Sequence, residues 1–343
     1  MIPIGGLIVS SVAAFGVSAW LTSWFSRPES RFYILDHPNA RSLHSRPTPR
    51  TGGIAIVAAC LIAASAAAIY FGQEWEHMAS LAAALLLVAV TSFFDDRVGL
   101  TPGFRMIAHL TAAAALVTGG LNLEMLALPG VMFKLPLAIG ILATILFIVW
   151  MINLYNFMDG MDGFAGGMAV VGFGVFAVFG AWAGEWLFTM LNLIVAAAAA
   201  GFLFFNYPPA RIFMGDTGSS SLGLLAAAFS LWGVHRVFPL WIPLLVFSPF
   251  IVDATVTLLR RAVRGEKIWE AHKTHYYQRL VQLGWGHRKT VLWEYALMVV
   301  CAASTLVGKE AMPAVQWAIV LFWIAVYALI AMAVHRLEWK KIK

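Results

Sequence analysis

Long apolar runs alternate with short polar segments rich in glycine and proline along almost the whole chain. A helix needs about 20 apolar residues to cross the hydrocarbon core of a bilayer, and eleven stretches qualify when some are short or tilted. They cover 3–25, 52–71, 79–94, 105–121, 135–152, 164–182, 187–205, 219–235, 239–259, 290–307 and 314–335. The first has no basic residues ahead of it, is too long for a secretory apolar core, and is followed by its positive charges. It therefore reads as a span and not as a cleaved signal. No internal repeat or low-complexity tail breaks the pattern, so the expected fold is an all-α polytopic membrane protein of about eleven transmembrane helices. One integral-membrane domain then covers 1–343.

Composition agrees: 61% of residues are hydrophobic and 12% charged, against roughly 25% charged in soluble domains. Mean hydropathy is +0.81. Basic residues on short loops mark the cytoplasmic side, and all but Lys134, Arg236 and Lys309 fall on one side when the N-terminus is placed outside and the C-terminus inside. The net charge of +6 thus reads as an orientation signal with some attraction for anionic headgroups, not as a nucleic-acid footprint. Cys60 and Cys301 both lie inside apolar runs, without the spacing of a disulfide framework or a zinc site.

Polar chemistry concentrates in the inner loops. The stretch NYPPARIFMGDTGSSSLG, Asn206 to Gly223, places Asp216 where a span should begin, and a carboxylate there is costly unless a cation meets it. Gly215 and Gly218 would let the backbone turn tightly, and Thr217 and Ser219 would cap the following helix. In FFDDRVGL the adjacent Asp95 and Asp96 end an apolar run. Neighbouring carboxylates repel unless they share a cation or a proton, so the pair suits divalent-metal binding or proton abstraction. In NLYNFMDGMDGFAGG, Asn153, Asn156, Asp159 and Asp162 recur every three residues with no Lys or Arg among them. That spacing places them on one face of a helix or wound turn, and Asn and Asp oxygens suit Mg²⁺.

Two basic segments supply the opposite charge. The first loop offers Arg41, His44 and Arg50 for a phosphate or as a topology anchor. The last offers His272, His275 and Arg279 at i, i+3 and i+7, beside Lys273. As one helix face these would clamp pyrophosphate oxygens. The same segment also reads as an interfacial helix with Trp269, Tyr276, Tyr277 and Trp285 at headgroup level. Pro243 and Pro249 predict a kink in the ninth span, a break suited to opening a lateral groove for a lipid tail.

The acidic constellations share one side of the membrane. An ion- or proton-coupled transporter would keep its ionisable groups near the bilayer midplane. These lie at the inner interface, as a metal-assisted phosphoryl-transfer site would require when one substrate is soluble and the other a lipid. A CDP-alcohol phosphotransferase also uses Asp-Gly pairs, but its pattern has Ala-Arg after the first pair, where this chain has Met161-Asp162.

FFDDRVGL, NLYNFMDGMDGFAGG, the Asn206 stretch and HKTHYYQRL together resemble the four cytoplasmic signatures of the polyprenyl-phosphate N-acetylhexosamine-1-phosphate transferases, in register from Asp36 to about Arg288. The resemblance implies transfer of sugar-1-phosphate from a UDP-sugar to undecaprenyl phosphate with release of UMP. It also implies a multi-pass location in the bacterial inner membrane, and it leaves a homodimer open. Residue by residue, it makes Asp95 the base that keeps the acceptor phosphate ionised, with Asp96 beside it. Asp216 and Asn156 would hold Mg²⁺, for which Mn²⁺ would substitute. Asn153, Asp162 and Asn206 would contact uridine stacked on Phe213, with Asp159 among the substrate-binding acids. Arg105 would meet the phosphates, and His275 with Arg279, next to His272, would form the basic clamp. Many members carry an acid and three consecutive histidines in the last loop, where this chain reads His272, His275, Tyr277 and Gln278. This departure argues against the peptidoglycan enzyme, leaves the clamp residues open, and looks like the O-antigen-initiating branch. Donors in that branch include UDP-GlcNAc, UDP-FucNAc and UDP-QuiNAc.

Overall fold

The computed structural model of the chain describes residues 4–39, 42–71, 75–267 and 272–342, so Arg41 and Trp269 lie outside it. Its helices are α1 (Ile4–Phe25), α2 (Gly52–Phe71), α3 (Trp75–Val98), α4 (Pro102–Thr118), α5 (Leu137–Met158), α6 (Phe164–Ala183), α7 (Trp186–Asn206), α8 (Gly215–Arg236), α9 (Trp241–Val246), α10 (Ser248–Val263), α11 (Tyr276–Leu280), α12 (Gly286–Gly308) and α13 (Pro313–Ile342). Every apolar run of the sequence falls on a helix. Among the described residues, eight helical stretches are long and apolar enough to cross a bilayer by themselves. The molecule is a polytopic helical membrane protein.

The all-α expectation omits two small antiparallel pieces. Strands β1 (Leu35–Asp36) and β2 (Thr48–Pro49) tie down the first loop, and β3 (Met125–Leu128) and β4 (Val131–Lys134) form a hairpin after α4. The ninth span is two helices. Phe247 interrupts it at φ −92°, ψ 8°, and Pro249 sits in the first turn of α10, where its missing N–H has no helical acceptor to lose.

Helix α8 is the centre of the bundle. Of its apolar window 94% is buried, against 11% for α13, and it packs on α5, α3 and α2. Its contact with α2 is made backbone to backbone: a Cβ on Gly53 would lie 2.2 Å from the Gly218 nitrogen. Small residues at such a crossing let helices approach where lipid offers no hydrophobic drive of its own. Gly218 is therefore a packing glycine within the helix, not the turn residue expected from the sequence.

One end of the bundle carries the polar loops. Helix α1 ends at Phe25, which touches Phe32 at 5.0 Å, and Phe32 in turn lies 6.4 Å from Phe93 beside the Asp95–Asp96 pair. Helix α4 leads away from that end to the β3–β4 hairpin, and α13 returns to it, where Glu338 meets Arg279. The start of α1 and the end of α13 thus lie at opposite ends of the bundle.

Candidate functional site

The site is assembled around the first turn of α8, which begins at Gly215, earlier than the hydropathy pattern suggests because Asp216, Thr217 and Ser219–Ser221 are polar but helical. Gly215 has φ +73°, and a Cβ there would sit 2.2 Å from the Arg50 carbonyl oxygen and 3.0 Å from Asp96 Oδ2. Glycine is what permits this close approach. Exposed amides at a helix start favour an anion, and Asp96, delivered from α3, is that anion. Its Oδ1 accepts from the Asp216 N–H at 3.1 Å, and its Oδ2 accepts from the Thr217 N–H at 3.0 Å and from the Thr217 hydroxyl at 2.9 Å. The expected caps, Thr217 and Ser219, lie inside the turn instead. Ser219 donates to the Gly215 carbonyl and accepts from Asn156 Nδ2.

Asp95 and Asp96 point to different partners. Asp95 Oδ1 accepts from the Leu100 N–H at 2.6 Å, and its Oδ2 accepts from Arg105 Nη1 at 2.9 Å. The same Arg105 nitrogen lies 3.8 Å from Asp216 Oδ2, so Arg105 bridges two of the predicted motifs.

Next to the α8 turn opens a cavity of about 310 Å³. Its lining brings together Asp36, Asp96, Asp159, Asp162 and Asp216 with Asn156, Asn206 and Phe213, faced by Arg50, His44, His287 and Gln278. Asn156 Nδ2 donates to Asp216 Oδ1 at 2.9 Å. Arg50 donates to the Asp96 carbonyl oxygen and lies 3.8 Å from Asp36. His44 meets the Phe213 ring edge-on at 4.9 Å. Just beyond the end of α5, removal from bulk water together with the charges of Asp216, Asp96 and Asp162 holds the Asp159 carboxyl well above the usual carboxylate range.

The donor set is made of hard oxygens, and the carboxylates outnumber Arg50, the one arginine or lysine among the lining residues. Among the described residues no three acidic, His or Cys side chains form a ready-made metal cage. A hard divalent cation that keeps waters and substrate phosphates in its shell does not need one. The residues present fit such an ion, because carboxylates gathered on one cavity repel one another unless a cation sits among them.

Other predicted residues meet the cavity differently or lie outside it. Asn153 lies about a turn further into α5 than Asn156 and is not among the residues lining the cavity. It faces α4, donating to the Val149 carbonyl and lying 3.3 Å from His109 Nδ1. Asn206 lines the cavity, yet both ends of its amide are engaged by backbone, Oδ1 by the Gly163 N–H and Nδ2 by the Ile212 carbonyl. It acts as a strut between loops. Asp162 is held by His287 at 3.0 Å and by the Ala210 N–H at 3.0 Å.

The basic helix face of the last loop does not form. Helix α11 begins at Tyr276, so His272 lies in the preceding loop and His275 is the residue before the first turn. His275 is buried against Asp253, and Arg279 is bound through two nitrogens to Glu338 at 2.6 and 2.5 Å. None of the three lines the acidic cavity. Tyr277 is fully buried, not interfacial, and its hydroxyl donates to the Phe157 carbonyl. From this region Gln278 and His287 reach the cavity. The signal for His287 was its place in Gly286-His287-Arg288-Lys289, which reads from sequence only as a basic flank. Asp253 was missed as well. Its carboxylate accepts from the Tyr276 and Tyr277 N–H groups at 2.9 and 3.1 Å, capping α11 as Asp96 caps α8.

Residues 78–234 match glycosyl transferase family 4. The chain is 30% identical over 309 residues to the probable undecaprenyl-phosphate N-acetylglucosaminyl 1-phosphate transferase of Bacillus subtilis, covering 89% of this chain and 86% of that one. It is 31% identical over 338 residues to the decaprenyl-phosphate N-acetylglucosaminephosphotransferase of Mycolicibacterium smegmatis, covering 89% and 83%. With the phospho-N-acetylmuramoyl-pentapeptide-transferase of Shouchella clausii the identity is 29% over 261 residues, covering 71% and 78%. With its polar motifs gathered at one end of a helical bundle and these relatives matched along most of their length, the chain belongs to glycosyl transferase family 4, within the polyprenyl-phosphate N-acetylhexosamine-1-phosphate transferase superfamily.

Proposed function

We propose that this protein transfers an N-acetylhexosamine-1-phosphate, or its 6-deoxy counterpart, from a UDP-sugar to undecaprenyl phosphate, releasing UMP. The single observation that carries this reading is the convergence of Asp96, Asp159, Asp162, Asp216 and Asn156, from three separate motifs, on one cavity. The names of the relatives support a polyprenyl-phosphate acceptor, and those matched at 30–31% identity are named for N-acetylglucosamine. The product would start a lipid-linked envelope glycan, O-antigen or a related polymer. The basic loops would place the site at the cytoplasmic face of a bacterial inner membrane, with the N-terminus outside and the C-terminus inside.

In this reaction an oxygen of the acceptor phosphate attacks the sugar-linked phosphorus. The bond to the bridging oxygen of UMP breaks, and the electron pair leaves on UMP. Asp216 and Asn156 would hold Mg²⁺ or Mn²⁺ beside Asp159, supplying charge neutralisation to the pyrophosphate and to the leaving UMP. Phe213, packed against His44, offers a face for the uracil. Arg50 and Arg105 flank the acids and would bind phosphate oxygens, Arg105 from its position between Asp95 and Asp216. Asp95, buried beside that guanidinium, would keep the acceptor phosphate in its dianionic form. Catalysis then rests on positioning and preorganised charge, the usual burden in phosphoryl transfer.

The test is UMP release by purified protein given undecaprenyl phosphate and a panel of UDP-sugars, with CDP-linked donors and a chelator as controls. Release from a UDP-sugar, abolished by chelation, is expected. Activity on CDP donors alone, or solute uptake in vesicles without UMP, would replace this reading with one of its rivals.

A further inference from the structure

A second cavity, of about 480 Å³, lies between the end of α10, α11 and the end of α13. Its character is opposite to that of the acidic site. Arg260, Arg261, Arg264, Lys273 and Arg279 line it against two carboxylates, Glu266 and Glu338. Both carboxylates already have a partner: Arg261 Nε meets Glu266 at 2.9 Å, and Arg279 meets Glu338 at 2.5 Å. Arg260 donates to the Tyr276 hydroxyl at 2.9 Å, a neutral partner. Among the described residues Arg264 and Lys273 have no carboxylate partner. Arg279 also keeps its Nη1 buried without a hydrogen-bond acceptor. Thr257 and Thr274 also line it, their hydroxyls engaged by Asp253 and by His272 Nδ1. Cations facing one another in a partly enclosed space repel unless an anion sits among them.

The surroundings indicate which anion. On α10, Leu259 is 60% exposed and Val263 88%. On α13, Met332 and Leu337 are exposed close to His335 and Glu338 of the cavity wall. Apolar side chains left bare on membrane helices face acyl chains, so the cavity opens at the level where helices leave the hydrocarbon for the headgroups. Basic pockets between helices at that depth suit lipid phosphates.

We propose that this cavity is a binding site for a phosphate anion distinct from the phosphates being transferred, with the headgroup of an anionic phospholipid as its occupant. It is joined to the acidic cavity through one turn of helix: Gln278 lines the one and Arg279 the other. A lipid bound there holds α10, α11 and α13 together at the corner from which Gln278 is presented. The binding itself does not depend on the proposed transfer reaction.

The protein is reconstituted in nanodiscs of phosphatidylcholine containing a minor fraction of phosphatidylglycerol, and lipid retained after extraction is measured by native mass spectrometry. Phosphatidylglycerol should be retained over phosphatidylcholine. The double substitution Arg264→Gln with Lys273→Gln should weaken that preference by about tenfold or more, as expected for the loss of two cations near a lipid phosphate. The charge-preserving pair Arg264→Lys with Lys273→Arg should keep it, which separates binding from damage to the fold. Titration with inorganic phosphate identifies the source of the anion. Competition only at concentrations far above those of the lipid supports the headgroup, and tight binding of phosphate without lipid preference assigns the same cavity to a soluble anion. Equal retention of both lipids with no binding of phosphate, or retention unchanged in the Gln pair, overturns the proposal.

Discussion

Asp96 and Asp216 sit within one hydrogen-bonded turn, yet the structure gives them separable roles. Asp216 presents its carboxylate to the cavity, so Asp216→Asn should cost about a thousandfold in turnover, the scale of losing a preorganised charge at a phosphoryl site, with little change in thermal unfolding. Asp96 caps α8, so Asp96→Ala should lower activity and also remove about 1–2 kcal/mol of stability. Equal unfolding temperatures in the two variants would contradict that division. Asp159 makes a pH prediction. Its raised pKa means that the folded state holds a proton the unfolded chain has lost, so stability falls as pH rises. The fall should begin above about pH 4, where an unfolded Asp ionises, and continue through the raised folded value. Thermal melts in chelator should show this slope, and Asp159→Asn should flatten it. Mg²⁺ should flatten it in the wild type. Asn153 shows the limit of reading at this scale: its chemistry suited the site, but it lies about a turn further into α5, against His109 of α4.

At the scale of elements, the site depends on two helix starts held by carboxylates from other helices, Asp96 for α8 and Asp253 for α11. Asp253→Ala should free α11 and with it Gln278, raising the KM for the nucleotide several-fold while leaving the rest of the bundle folded. An unchanged nucleotide KM would show that α11 is positioned by the Arg279–Glu338 pair alone. The break between α9 and α10 carries the other expectation. If it opens a groove for the prenyl tail, Pro249→Ala should raise the apparent KM for the lipid more than that for the nucleotide, and equal shifts would count against the groove. The proline break was legible in the sequence because a missing N–H is a local property. The failure of the His272–Arg279 face was not. Whether that segment coils from His272 or from Tyr276 is settled by where Asp253 offers acceptors for the first amides, a contact across 23 and 24 residues.

For the whole molecule, the bundle puts the start of α1 and the β3–β4 hairpin at one end, and the acidic cavity with the end of α13 at the other. Cysteines introduced at Ser45 and Arg288 should therefore react with an impermeant thiol reagent from the cytoplasmic side, and one at Met132 from the opposite side. Labelling of all three from one side would remove the basis for the proposed orientation. The sequence alone determined that the chain spans a membrane many times, with its polar motifs at one end. Apolar run length and the distribution of Lys and Arg answer to the bilayer as solvent and need no knowledge of which helices touch. It also determined, through four motifs in register, the family. Tertiary structure decided which members of those motifs meet. Asp36, Arg50, Gln278 and His287 join the acidic cavity, while Asn153, His275 and Arg279 leave it. A side chain's direction depends on its place along the helix and on the partner that satisfies it once buried, and those partners lie 59 to 120 residues away along the chain.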